Sequence, residues 1–439
     1  GVIAKPLIEE KCEIVANAFK RYKEIQLTYG DDFKEFKKAK SELNKRLKEL
    51  NHELNQLLHK QASGLKYEAW LQSHQPFHWF AEFYEIVQDN GGFDVIIGNP
   101  PYVEYSGVKK SYTVKDFETE KCNNLFALCT ERSYKILNSK GYLGLIIQLS
   151  AVTTISMQPL QNFLIKSSGL LYSSFFPERP QHLFDGAHIG LTIIISTKKT
   201  KEEILLYTSS ILRTYKENRP NLFMTLAYAN NPFYKKVSYF LKAGNEIEIS
   251  ILKKLLSNSS INKCVSPTAN DNVISYRTAG GMYWRTAICR PFTTVSTSNK
   301  TNYIQRNYSN YVIAALINST TFWLYYAYYY DLFNFKDYMI FAFPFSYDNA
   351  DKSIISKLEK LGRKLMKNIH DNVVIGEKYM KAKQQMAYFE SFNTRAAKPV
   401  IDEIDQVLAE HYGFNSNELD FIINFDTKYR FTAESENEE

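Results

Sequence analysis

At 439 residues the chain is too long for one hydrophobic core of ordinary size, so two or three domains are expected. Hydrophobic residues at 44% and charged residues at 23% are ordinary for a soluble globular protein, and no uncharged apolar run of about 18 residues suggests a membrane-spanning helix. A formal charge of +7 favours polyanionic partners, while five cysteines without a C-x-x-C pair argue against a disulfide framework or zinc site and fit a reducing, cytoplasmic setting.

The chain opens GVIAKPLIEEKC, with no signal-peptide pattern and no initiating Met, which leads us to expect a fragment of a larger protein. From Phe33 to Leu58, apolar residues such as Leu43, Leu47, Leu50 and Leu54 recur at spacings of three and four, predicting a long amphipathic helix packed on a neighbouring domain. An aromatic, mostly helical stretch follows until Asn90-Gly91-Gly92 breaks it. Its His74 and His78 have Pro76 between them, which spoils the helix that would bring both rings to one metal.

Residues 93–98 are almost continuously apolar, as in a central parallel strand covered on both faces. A helix over 124–137 ends at Asn138-Ser139-Lys140-Gly141, before the strand YLGLIIQL. A helix over 158–166 leads to the strand LLYSSFF, and IGLTIIIST supplies a fourth strand. This alternation predicts a doubly wound α/β sheet, yet only its C-terminal half, because the first 90 residues read as helical.

The division predicted is a helical segment over 1–90, half of an α/β domain over 91–200, an α+β region over 201–360 and a helical region over 361–439. In the last, Pro399 marks a helix start, Gly413 a stop, and Asn415 with Glu418 a capping-box restart; the tail ESENEE is expected to be disordered. The run Tyr325 to Tyr330 lies inside an apolar segment and reads as packing.

The stretch FDVIIGNPPYVEY carries the chemistry. An exocyclic amine on a base is a poor nucleophile because its lone pair is delocalised into the ring. Two acceptors must take its hydrogens so that the lone pair is held toward a methyl donor. Asn99 offers a side-chain carbonyl and Pro100 a main-chain one, two consecutive prolines restrict the backbone, and Tyr102 can stack on a planar base. A base within a duplex must first be extruded. A loop at the carboxyl end of a sheet strand is where open α/β sheets place ligands.

N-P-P-Y after an apolar strand resembles the catalytic motif of γ-class adenine-N6 DNA methyltransferases. The resemblance implies that Asn99 and Pro100 hold the target amine, Tyr102 stacks on the adenine and Pro101 lines the methyl-donor side. NNLFALCTERSYKILNSKGYLGLIIQLS resembles the family's next helix and strand, where Leu125 and Cys129 would contact the cofactor, although Cys129 stands where the family usually has Phe. In ERPQHLFDGAHIGLTIII, Phe184 would take the other face of the flipped base. Similarity over most of residues 35 to 430 extends to type IIG restriction-modification proteins, which fuse methyltransferase, target-recognition region and often a nuclease.

The implied cofactor is S-adenosylmethionine and the implied partner double-stranded DNA. No glycine-rich donor loop precedes Phe93, so the rest of the donor pocket, and any nuclease, is expected from a missing N-terminal part, and this chain alone is expected to bind donor weakly or not at all. In the 201–360 target-recognition region, Arg277, Arg285, Arg290, Lys300 and Arg306 are the candidate DNA contacts. A non-catalytic DNA-specificity module, or a methyltransferase acting on protein glutamine or on RNA, would use the same motif.

Overall fold

The computed structural model describes residues 4–28, 33–60, 64–109, 114, 116–186, 188–199, 203–237, 239–279, 286–380, 385–392 and 395–430. In chain order the elements are α1 Ala4–Thr28, α2 Phe33–His59, α3 Tyr67–His74, α4 Trp79–Glu82, α5 Tyr84–Asp89, β1 Phe93–Gly98, α6 Tyr105–Val108, α7 Leu125–Ile136 and β2 Leu137–Gln148. Then come α8 Ser150–Thr153, α9 Gln158–Ser167, β3 Ser168–Phe176, β4 Leu191–Lys198, β5 Leu205–Ile211, β6 Tyr228–Asn230, α10 Glu246–Leu255, β7 Val265–Ser266, β8 Val273–Arg277 and β9 Asn299–Ile304. The chain finishes with α11 Asn310–Asn318, α12 Thr320–Tyr329, α13 Asp337–Ile340, α14 Lys352–Asp371, β10 Val373–Met380, β11 Gln385–Phe392, α15 Lys398–Tyr412, α16 Ser416–Asn424 and α17 Thr427–Arg430. No helix among the described residues is long and apolar enough to cross a membrane.

Two compact units divide the chain. The first comprises Gly1–Ile147, Asn162–Leu171 and Ile194–Ile204. Its first five helices precede its first strand, as expected. The apolar stripe of α2 has a different partner from the one the sequence suggested: Leu43 and Leu50 pack with Cys12, Val15 and Ala16 of α1 and with Ala81 and Tyr84. The pair is a helical hairpin closing its own small core. His78 is bonded to Asn55 Oδ1 at 2.7 Å, and His74 lies 3.2 Å from the Trp70 carbonyl.

Gly92 delivers the chain into β1 with φ +128°, and a Cβ there would meet the Ile136 carbonyl at 2.5 Å. Only glycine allows that turn and that approach. β1 then runs parallel to β2, with Val95 opposite Tyr142 and Ile97 opposite Gly144. The first unit's strands stand in the order β1-β2-β4-β3. β2 begins at Leu137, earlier than the sequence indicated, because Phe93 pairs with Leu137 and the Lys198 ammonium donates to the Leu137 carbonyl at 2.6 Å.

β1 departs from the expectation of a strand covered on both faces. It is the edge of its sheet. Leu143 and Leu145 of β2 are buried on one side, but Val95 is 56%, Ile97 81% and Tyr142 55% exposed on the other. The register makes those three a single apolar patch, because side chains two apart share a face and paired residues stand side by side. Among the described residues nothing pairs with the outer edge of β1, since those before it are spent on helices.

The second unit comprises Gln148–Gln161, Tyr172–Ile193 and Leu205–Glu439. Its strands of the larger sheet stand in the order β4-β3-β5-β6, and the antiparallel β5–β6 pair makes that sheet a mixed one. A three-stranded sheet β7-β9-β8 and the hairpin β10–β11 are separate. Its core is built on α11, α12, α14 and α15, and Tyr325, Tyr326 and Tyr328 are all buried in it. Asp405, itself fully buried, accepts the backbone N–H groups of Thr320 and Thr321 at 3.0 and 2.9 Å and so caps α12. Gly413 ends α15 at φ +67°, and Asn415 with Glu418 forms the capping box of α16.

α11 and α14 approach closely at Gly362, where a Cβ would meet the Tyr311 carbonyl at 2.2 Å. Gly362→Ala is therefore expected to force the helices apart and cost about 1–3 kcal/mol, as overpacking does. Thermal unfolding should show the loss, whereas the exposed Ser356→Ala, on the same helix, should leave the midpoint nearly unchanged.

Candidate active site

The pairing of β1 with β2 stops at Gly98, opposite Leu145. Pro100 and Pro101 have no backbone N–H to donate, so Asn99-Pro100-Pro101 cannot continue the ladder and the chain leaves the sheet. Asn99 and Pro101 are exposed; Pro100 and Tyr102 are half-buried. No described residue bonds the Asn99 amide or the Pro100 carbonyl, so both acceptors are open. Tyr102 is pinned instead: its hydroxyl donates to the Ile146 carbonyl at 3.0 Å and its ring meets Phe126 edge-on at 6.2 Å. Burial raises the phenol's pKa, which keeps it a neutral donor.

The loop is tied to the start of α7. The Leu125 N–H donates to the Val103 carbonyl at 2.9 Å and the Tyr105 N–H to the Asn123 carbonyl at 3.0 Å. Glu104 and Asn124 form a bridge, and the Asn124 side chain caps the helix by accepting the Phe126 N–H. Leu125 thus stands beside the loop, with Cys129 one turn further along the helix. Both are half-buried, and burial raises the Cys129 thiol's pKa, so it is a small neutral wall rather than a thiolate nucleophile. Asn99, Pro100, Pro101, Tyr102, Leu125 and Cys129 all belong to the first unit.

Residues 10–179 match the profile of the family described as Eco57I restriction-modification methylase. Over 136 residues the chain is 33% identical to a candidate type II restriction enzyme and methyltransferase of Methanocaldococcus jannaschii, an alignment covering 30% of this chain and 11% of that protein. The chain therefore spans a small part of that relative. Partial likenesses extend to the type IIL restriction-modification enzyme MmeI in complex with DNA (9% identity, 79% of this chain, 58% of that one, TM-score 0.40). A nuclease-deletion mutant of the type ISP enzyme LlaGI with a DNA substrate mimic gives 11% identity over 78% of this chain and 48% of the other, TM-score 0.36.

Phe184 lies beyond the matched methylase segment, in the second unit, and is 44% exposed. Its loop is held by Arg219, which pairs with Asp185 and donates to the His182 carbonyl, both at 2.6 Å. Of the candidate recognition cations, Arg285 lies outside the described residues. β8 and β9 bring Arg277 and Lys300 onto neighbouring strands. Arg277 lies over the Phe389 ring at 5.6 Å, and Lys300 pairs with Asp337. Arg306, 77% exposed, pairs with Asp271 at 3.2 Å. Arg290 grips the buried carboxylate of Glu390 with both terminal nitrogens, at 3.3 and 2.7 Å, an internal clamp between residues a hundred positions apart.

Sequence reasoning missed the loop's supports. Asn123 and Asn124 were recognisable as an N-cap signal before an apolar run. Glu131 gave none. It is buried, accepts the Thr119 N–H and hydroxyl at 2.9 and 2.8 Å, and pairs with Lys135 at 2.8 Å, fixing the segment before α7. Burial works against its charge, but those hydrogen bonds win and hold its pKa below the usual carboxylate range.

Proposed function

We propose that this chain is the catalytic-loop and DNA-recognition part of a site-specific adenine-N6 DNA methyltransferase in a restriction-modification system of type IIG organisation. One observation carries the reading: at the carboxyl end of β1, inside the methylase segment, the Asn99 amide and Pro100 carbonyl are unengaged while the Tyr102 ring beside them is fixed. An extruded adenine would lie against Tyr102, offering its amine hydrogens to those two oxygens. With both hydrogens accepted, the nitrogen's lone pair leaves conjugation and faces the donor side. Neither acceptor is basic, so the released proton passes to solvent.

S-adenosylmethionine would supply an electrophilic methyl group. Pro101, Leu125 and Cys129 fit one apolar wall for it. The uncovered edge and face of β1 support a completing polypeptide segment that adds strands there and brings the remaining donor contacts. In this reading 201–360 is the target-recognition region and Phe184 the second stacking ring.

The test is a pair of substitutions in the complete enzyme. Tyr102→Ala should lower methyl transfer by the worth of base–aromatic stacking, about 1–3 kcal/mol. Tyr102→Phe keeps the ring and loses only the bond to Ile146, about 1 kcal/mol of fold stability, so its turnover should stay near that of the parent. Equal activity in Tyr102→Ala and the parent would reject the stacking role.

A further inference from the structure

We propose that a cleft between α14, the start of α11 and residues 288–290 is a phosphate-binding site that grips the backbone of duplex DNA. The proposal rests on the DNA reading above but not on the methyl-transfer chemistry. The cleft has a volume of about 360 Å³ and is lined by Arg290, Tyr311, Arg363, Lys367 and His370 over a floor of buried aliphatic side chains. No carboxylate lines it.

Helix α14 has six Lys or Arg against two Asp or Glu. Three of its cations are already balanced: Lys357 by Glu410, Lys364 by Glu403 and Arg363 by Glu359, at 2.7, 2.6 and 2.7 Å. Lys360 and Lys367 are exposed and have no carboxylate partner among the described residues. They are seven positions apart, two turns along one face, with Arg363 between them.

Arg363 is not free to wander. Its guanidinium lies 4.1 Å from the centre of the Tyr311 ring, which the close approach at Gly362 makes possible. A planar cation stacked on an aromatic face presents its remaining N–H groups sideways, the geometry suited to a phosphate oxygen. Arg290 also lines the cleft, but both of its terminal nitrogens are engaged by Glu390 and one of them by the Pro291 carbonyl, so its charge is already paired. Arg363 held against Tyr311, Lys367 in the cleft and Lys360 two turns away on the same helix form a row of cations on α14, which suits an extended phosphodiester chain better than a compact anion. The contacts carry no base information, so the site sets affinity and register.

The test is binding of the 439-residue chain to a DNA duplex, measured against salt concentration. Lys367→Gln and Lys360→Gln should each reduce the slope of log K against log salt by about 0.9, the contribution of one neutralised phosphate. Lys45→Gln, at an exposed position on α2, should leave it unchanged. Unchanged melting temperatures show that the variants fold. Slopes equal to the parent's, no salt-dependent binding by the parent, or tighter binding to an RNA duplex would each overturn the proposal. Product analysis of the complete enzyme reads the methyl-transfer reading separately: methylated adenine with unchanged slopes rejects the cleft alone, and reduced slopes without methylation reject the chemistry alone.

Discussion

Asn99→Ala should reduce methyl transfer by the complete enzyme about 100-fold or more, the loss seen when one preorganised polar contact to a reacting group is removed. That factor corresponds to about 2.7 kcal/mol of transition-state stabilisation. The expectation is large in activity and small in stability. Asn99 is exposed, and no described residue hydrogen-bonds its side chain, so truncation removes nothing that holds the fold and should stay within about 0.5 kcal/mol of the parent. A residue that merely shaped the turn would behave the other way, with both quantities falling together. Single-turnover transfer from labelled donor, beside thermal unfolding of the same preparations, separates the two. Asn99→Asp keeps an acceptor oxygen and should retain more activity than Asn99→Ala; parental rates in Asn99→Ala would remove the central residue from the account.

Ile97→Asp gives the second large effect, and its size should depend on what else is present. In the 439-residue chain Ile97 is 81% exposed, so a carboxylate there meets water and should change stability by less than about 0.5 kcal/mol. If a further segment adds to the edge of β1 and covers Val95, Ile97 and Tyr142, the same carboxylate becomes a buried, unpaired charge. Such a group costs several kcal/mol. The complete enzyme carrying Ile97→Asp should then lose donor binding and activity while the chain alone melts as before. Isothermal titration with S-adenosylmethionine extends the comparison: the chain alone should show no micromolar binding. Micromolar binding by the chain, or full activity of the Ile97→Asp enzyme, would mean that the donor pocket needs no completing segment.

Local signals were legible wherever the responsible residues are neighbours in sequence. The strand before Asn99, the helix capped by Asn124, the stop at Gly413 and the capping box of Asn415 and Glu418 all rest on contacts within a few positions. Errors arose where a distant partner decides. Asn138 to Gly141 has the composition of a loop, yet it is strand because Phe93 and Lys198 hold its start from other elements. The apolar content of β1 describes a strand built for burial, but whether its face is covered depends on residues outside it.

The cradle shows the same division. Asn99 to Tyr102 can be read directly, since the proposed chemistry rests on four consecutive residues. Its anchoring cannot: Tyr102 reaches Ile146, 44 positions away, and Glu131 secures Thr119 from within a helix. Charge alone could not tell Arg290, committed to Glu390, from Lys367, which has no carboxylate partner among the described residues.

The most direct test of the cradle is the identity of the product. DNA from cells expressing the complete enzyme should be digested to nucleosides and analysed by mass spectrometry. N6-methyldeoxyadenosine is expected with the parent enzyme, and its absence with Asn99→Ala. Unmodified adenine, with the methyl group found on protein glutamine or on RNA, would contradict it.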